Sequence, residues 1–199
     1  EANVIGITGS VGKTTTKELC NAILGRKFNV LSTAGNLNNH IGVPLTLLSL
    51  TNNTEIGVIE MGANHRGEIA ALCDIALPDH GLITNIGRAH LEGFGSVEGV
   101  KKAKGELFEF LMKNQKTVFV NENDHLVKSL LLPGYRNSFF YHNPFCSGTM
   151  ISSDPFLNLD IQLADRRFRV KTNLIGKYNL ENILAAVAIG NFFGVSEHN

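Results

Sequence analysis

The 199-residue sequence has no tryptophan, only 8% aromatic residues, five prolines and three cysteines. Cys20, Cys73 and Cys146 are isolated and odd in number, which argues against a disulfide scaffold and fits buried, reduced thiols in a cytoplasm. None stands at a metal-ligand spacing from another. Charge of one sign is also lacking: 18 Lys and Arg balance 18 Asp and Glu. A net charge of zero gives no general attraction to nucleic acid or to an anionic membrane surface. No apolar run is long enough to span a bilayer and the N-terminus shows no signal-peptide pattern, so no membrane insertion is expected. What is present, 43% hydrophobic and 18% charged residues, describes a globular chain able to bury one sizeable core.

Short apolar segments alternate with helical patterns. Strands are expected at Val4–Thr8, Phe28–Leu31, Ile56–Glu60, Gly81–Asn85, Thr117–Val120 and Ser138–Tyr141, and helices near Lys13–Leu24, Gly42–Ser49, Arg66–Ile75, Val97–Leu111 and Asp124–Leu131. That alternation predicts an α/β fold, a mostly parallel sheet flanked by helices. From Phe156 to Thr172 the period changes to two on either side of Ala164-Asp165, which predicts a small antiparallel hairpin at the sheet edge. A last helix, Asn179–Phe193, carries a small-residue face. A strand that starts close to Glu1 and a helix that stops close to Asn199 suggest a chain cut at both ends.

The organising stretch is Thr8-Gly9-Ser10-Val11-Gly12-Lys13-Thr14-Thr15, placed between the first strand and the first helix. Glycines there let backbone N–H groups turn onto an anion, and a helix N-terminus adds positive potential. Lys13 then faces the β/γ-phosphates and the Thr14 hydroxyl a Mg²⁺. The strict phosphate-loop spacing asks for glycine at position 7, where this chain has Ile7.

Other residues carry chemistry at strand ends, where ligands gather in parallel sheets. Glu60, after Ile56-Gly57-Val58-Ile59, is a Mg²⁺ ligand or a solvated strand-end acid. The loop Asn85-Ile86-Gly87-Arg88-Ala89-His90 holds His90, a metal ligand or a structural histidine. At roughly 100° per residue, Lys104 shares a stripe with Val100, Ala103, Leu107, Phe110 and Leu111. Such a lysine either snorkels or is buried, and burial lowers its pKa and frees the amine to take up CO₂ as a carbamate. Gly35-Asn36-Leu37-Asn38-Asn39 is a turn or a loop that hydrogen-bonds substrate. Asn179 is a helix cap or, with Asn182 one turn on, part of an amide pair that reads a base edge.

Together these motifs resemble the Mur ligases. The stretches that carry the resemblance are the phosphate loop, Gly35-Asn36-Leu37-Asn38-Asn39, Glu60-Met61-Gly62-Ala63-Asn64-His65, His90-Leu91-Glu92-Gly93-Phe94-Gly95-Ser96, Ala103-Lys104-Gly105-Glu106 and Gly176-x-x-Asn179-x-x-Asn182. The family's loop is usually Thr-Gly-x-x-Gly-Lys-Thr, which accommodates Ile7. By that resemblance residues 1–199 form the central ATP-binding domain. Gly9, Ser10, Gly12, Lys13, Thr14, Thr15, Asn179 and Asn182 hold ATP. Thr14 and Glu60 bind one Mg²⁺, and His90 with a carbamylated Lys104 binds a second. Lys13, Lys104 and His90 form the catalytic set, and Asn36, Asn38, Asn39, Asn64, His65 and Arg88 face substrate. Tyr178 stands where the family usually has histidine.

The resemblance implies ATP-dependent amide formation in peptidoglycan precursor synthesis in the bacterial cytoplasm. A UDP-muramoyl-tripeptide carboxylate attacks the γ-phosphate to give an acyl phosphate, and the amine of D-alanyl-D-alanine displaces phosphate. An N-terminal domain for the UDP end and a closing C-terminal domain are expected outside this chain, so residues 1–199 alone should not turn over. The rival readings are another Mur-type or folylpolyglutamate-type ligase, a nucleotide-binding switch that ligates nothing, and an α/β domain with a degenerate site.

Overall fold

The computed structural model describes residues 2–87 and 91–196. Six parallel strands form the main sheet: β1 Asn3–Thr8, β2 Val30–Ser32, β3 Ile56–Glu60, β4 His80–Ile83, β5 Thr117–Asn121 and β6 Ser138–Tyr141. Their order is β2-β3-β1-β4-β5-β6, and every adjacent pair is parallel. The order reverses direction at β1, between β3 and β4, so the loop after β1 opens at a switch point where parallel sheets bind ligands.

Central strands of such a sheet are buried on both faces, which is why they read as unbroken apolar runs. Ile5, Ile7, Val58, Leu82 and Phe119 face helices α1 (Lys13–Leu24) and α7 (Asn179–Phe192). Ile59, Ile83, Val118 and Val120 face α2 (Gly42–Leu48), α3 (Glu68–Ala76) and α5 (Val97–Lys113). Helix α5 starts where Ser96 Oγ accepts the Gly99 N–H at 3.1 Å, and Val100, Ala103, Leu107 and Leu111 form its buried stripe.

The expected elements are present with shifted ends. The second strand begins two residues later than expected because Phe28 is still bonded to Leu24 O, 2.9 Å, in the turn after α1. The fourth strand stops at Ile83, since Thr84 and Asn85 turn to bond the phosphate loop. Helix α6 is shorter than expected, His125–Lys128. Asp124 caps it, and the chain beyond tightens into turns ahead of Pro133. A short helix, α4 (Leu91–Phe94), was not anticipated.

The hairpin expectation needs correction. Strands β8 (Leu157–Leu163) and β9 (Arg166–Lys171) do pair antiparallel, but not on the edge of the main sheet. They join β7 (Cys146–Ser153) in a separate three-stranded sheet. The reason is the apolar face of β8, Leu157, Leu159, Ile161 and Leu163, which is buried in the same core as α7. An edge-on addition to the main sheet would leave that face in water.

Candidate active site

The phosphate loop is stitched to the strand beside it. Ser10 N–H donates to Asn85 O at 3.0 Å and Val11 N–H to Asn85 Oδ1 at 3.2 Å, while Thr84 Oγ1 and Asn85 Nδ2 donate to Val11 O. The Ser10 hydroxyl accepts the Gly87 N–H at 2.9 Å. Two glycines make this geometry possible. Gly9 (φ +144°) lies so close to β4 that a Cβ would sit 2.0 Å from Thr84 Oγ1, and one on Gly12 (φ +84°) would sit 2.4 Å from Asn182 Oδ1. Because Ser10 and Val11 use their N–H groups inside the protein, the donors left to an anion include those opening α1 at Lys13, Thr14 and Thr15.

Lys13 Nζ folds back onto Gly9 O (2.8 Å) and Ser10 O (3.4 Å). Burial lowers its pKa, and the Glu60 carboxylate partly restores it. Glu60 sits opposite Ile7 in the β1–β3 register and is only 1% exposed. Its N–H donates to Thr33 Oγ1 at 2.9 Å and its Oε1 accepts Asn38 Nδ2 at 2.7 Å. Its Oε2 is buried with no partner. The solvated reading of Glu60 is thereby overturned. An unpartnered buried carboxylate oxygen is costly unless something cationic completes it.

Lys104 is 1% exposed and does not snorkel. Its Nζ donates to Ala63 O at 3.2 Å and lies 5.3 Å from the Phe94 ring centroid. Burial, then the nearby Lys13 charge, pushes its pKa down to about 8, against the opposing pull of Glu68 and Glu106. A good fraction of the amine is therefore neutral near pH 8.

The remaining expected residues divide. Asn38 belongs to the site: besides bonding Glu60, its O accepts the Gly62 N–H at 2.7 Å. It lines a cleft of about 440 Å³ together with Lys13, Asn39, His40, Asn64 and Leu72. Asn39 spends its Oδ1 on the N–H groups of Ile41 and Gly42, so the turn reading holds for it as well. Asn36 is exposed and outside that lining. The His65 ring is exposed and pairs with Glu68 at 3.2 Å, likewise outside it. Arg88 and His90 lie outside the described residues. Asn179 and Asn182 are 4% and 5% exposed. Asn182 Nδ2 donates to Asn179 Oδ1 (2.9 Å), Asn182 Oδ1 accepts Thr16 Oγ1 (3.1 Å), and Asn179 Nδ2 donates to Ile175 O (3.0 Å). The pair therefore ties α7 to α1, and the capping reading of Asn179 fails: the residue at the cap is Tyr178.

Lys17 escaped the sequence reading. Four residues after Lys13 it looks like an ordinary helix lysine, yet it is fully buried. Its Nζ donates to Thr33 O (2.6 Å) and Gly35 O (3.2 Å) and pairs with Glu18 at 2.7 Å. It thus holds the Thr33–Asn38 segment that positions Glu60.

Among the described residues no group of three His, Cys, Asp or Glu side chains gathers as a ready-made metal cage. One carboxylate, one hydroxyl and a polyphosphate suit Mg²⁺, which keeps several waters and takes few protein ligands. Glu60 Oε2 and the exposed Thr14 hydroxyl fit that demand.

Comparison with known proteins gives a consistent picture. The Mur ligase middle domain family matches residues 7–190. The chain is similar to the UDP-N-acetylmuramoyl-tripeptide–D-alanyl-D-alanine ligases of Bacillus subtilis and Escherichia coli. Identity with the first is 38% over 97% of this chain and 42% of the relative; with the second it is 39% over 98% and 44%. The chain therefore spans less than half the length of these relatives. A crystal structure of MurF from Acinetobacter baumannii superimposes with a TM-score of 0.89 at 34% identity, covering 99% of this chain and 44% of that one. MurF from Thermotoga maritima in complex with ADP gives 0.87 at 32% identity, covering 98% and 46%.

Proposed function

This chain belongs to the Mur ligase family, and from that premise we propose that it is the central nucleotide-binding domain of a ligase joining D-alanyl-D-alanine to UDP-N-acetylmuramoyl-tripeptide. The observation that carries the reading is the partnerless Oε2 of Glu60, buried beside Lys13 at the mouth of the phosphate loop. The MurF relative whose structure holds ADP supports the same nucleotide class. The two curated ligases support the acceptor.

In this reading Lys13 leaves the carbonyls of Gly9 and Ser10 and moves onto the phosphates of ATP, where the N–H groups opening α1 also point. Gly9 and Gly12 let the loop pack against Thr84 and Asn182 and so hold its shape for that move. Thr14 and Glu60 hold one Mg²⁺; Lys104, with His90, holds a second. The two ions supply charge neutralisation as two anions meet. To serve as a metal ligand, the neutral Lys104 amine bonds CO₂ and releases a proton, so that a buried cation becomes a carbamate. Asn38 keeps Glu60 oriented, and the cleft beside Lys13, with Asn39 and Asn64 on its wall, takes the reacting carboxylate. The product amide forms when the acceptor amine displaces phosphate from the acyl phosphate. Further N- and C-terminal domains of the parent protein hold the UDP end and the acceptor. The free, buried thiols of Cys20, Cys73 and Cys146 suit a reducing bacterial cytoplasm.

The test is ADP release by the full-length protein with UDP-muramoyl-tripeptide and a panel of acceptors. Release that requires D-alanyl-D-alanine is expected. Release with a single amino acid, or nucleotide binding without acceptor-dependent release, would overturn the assignment in favour of a sister ligase or a switch.

A further inference from the structure

A second cleft, of about 310 Å³, borders the phosphate loop on the side of α7. The loop contributes Gly12 and Thr15; Asn121 ends β5 and Asp124 follows it, and Tyr178, Glu181 and Asn182 come from the start of α7. If the nucleotide reading above holds, this cleft adjoins the phosphates and receives the nucleoside. The amide pair expected to read the base is buried at the wall of this cleft, where Asn182 and Asn179 are bonded to each other, to Thr16 and to Ile175. Glu181 differs. Its side chain is 39% exposed and lines the cleft. Its Oε2 accepts both Asn121 Nδ2 at 2.7 Å and His142 Nδ1 at 2.9 Å. Those two donors, from residues 60 and 39 positions away in the chain, fix the plane of the carboxyl, and neither bond uses Oε1.

We propose that Glu181, positioned by Asn121 and His142, is the acceptor that reads a hydrogen-bond donor of the bound nucleoside, either the exocyclic amine of adenine or a ribose hydroxyl. A carboxylate only accepts, so it binds a donor through a charge-assisted bond and repels an oxo edge presented in the same place. A second acid, Asp124, lines the same cleft; its Oδ1 accepts the N–H groups of Leu126 and Val127. Two carboxylates exclude phosphate from this side and leave Lys13 as the attractive end, which orients the nucleotide. Nothing in the spacing of the α7 motif marks Glu181, because its two partners meet it only in the fold.

The experiment is calorimetric titration of the full-length protein with ADP, inosine diphosphate and 2′-deoxy- and 3′-deoxy-ADP. The wild-type chain is compared with Glu181→Gln, whose amide oxygen can still accept from Asn121. Glu181→Gln is expected to weaken ADP about tenfold with its melting temperature little changed. Glu181→Asp, which keeps the charge but withdraws it by one methylene, should show a similar loss. If the donor is the amine, wild type prefers ADP to inosine diphosphate and the variant loses that preference. If it is a hydroxyl, the preference lost is that over the deoxy analogue. ADP binding by both variants equal to wild type would overturn the inference while leaving the nucleotide reading intact. No nucleotide binding by wild type would overturn both.

Discussion

At the amino-terminal edge of the main sheet, charge is settled within the protein. Asp79 accepts the Val4 N–H at 3.0 Å and Lys116 Nζ at 2.6 Å. Burial alone would raise its carboxyl, but Lys116 and Val4 outweigh that and hold it below the usual carboxylate range. Beside it His80 packs against the rings of Phe192 and Phe193, with centroids 5.3 and 5.1 Å away; its buried Nδ1 has no partner, but burial keeps the ring uncharged. At the carboxyl-terminal edge the accounts stay open: Glu60 Oε2 has no partner, Lys13 rests on carbonyls, and Lys104 has one backbone acceptor. The same fold tolerates both arrangements. Unpaired charge at one edge marks the end that meets ligand, whereas paired charge and a ring that burial keeps neutral serve the fold at the other.

Substitutions should separate the two edges. The largest effect is expected for Lys13→Ala, a loss of roughly 10³-fold in acceptor-dependent ADP release at an unchanged melting temperature. Lys104→Met should cost roughly 10²-fold in the same assay and yet, against protein freed of Mg²⁺ and CO₂ in which Lys104 is an unmodified amine, raise the melting temperature at pH 7. Its folded pKa, about 8, lies below the unfolded value of 10.5, so the burden of the buried cation is full below pH 8 and fades as pH rises to 10.5. The stabilisation by Lys104→Met should shrink accordingly between pH 8 and 10.

At the opposite edge the readout is stability alone. Burial lowers the His80 pKa from 6.5 to about 4, only partly opposed by Asp79. The unfolded chain therefore takes up a proton that the folded one refuses, and stability falls as pH drops from 6.5 towards 4, by roughly 3 kcal/mol at most. Denaturant melts of His80→Leu should lose most of that acid dependence, with ADP affinity at wild-type level. The smallest effect belongs to Lys116→Met. The Asp79–Lys116 pair is partly exposed, and its loss should cost about 1 kcal/mol or less without touching nucleotide binding. A change in ADP affinity in either variant would blur the distinction between the edges.

Much of this was legible in the sequence for physical reasons. The phosphate loop, the parallel sheet and α5 rest on local patterns: glycines before a helix, buried strands of period one, a helical stripe. Ile7 departs from the strict loop spacing because it is still strand, fully buried in β1, and the turn begins only at Gly9. The stripe placed Lys104 on the apolar face but could not distinguish snorkelling from burial, which depends on Ala63 and Phe94 from other elements. Strand β7 was hidden because Cys-Ser-Gly-Thr-Met-Ile-Ser-Ser lacks alternation and is rich in loop formers. Its Gly148 is where the backbone runs close to Leu180 and Leu184 of α7. Lys17, Asn121 and Glu181 were silent for a similar reason: each acts through partners distant in sequence.

If the open carboxylate at the sheet edge serves a metal-assisted nucleotide site, ADP affinity depends on Mg²⁺ through Glu60. Calorimetry on the full-length protein should show Mg²⁺ tightening ADP about tenfold or more in wild type. In Glu60→Gln, which keeps the Asn38 contact but not the charge, that enhancement should vanish while affinity without Mg²⁺ stays the same. An undiminished Mg²⁺ effect in Glu60→Gln would contradict the claim.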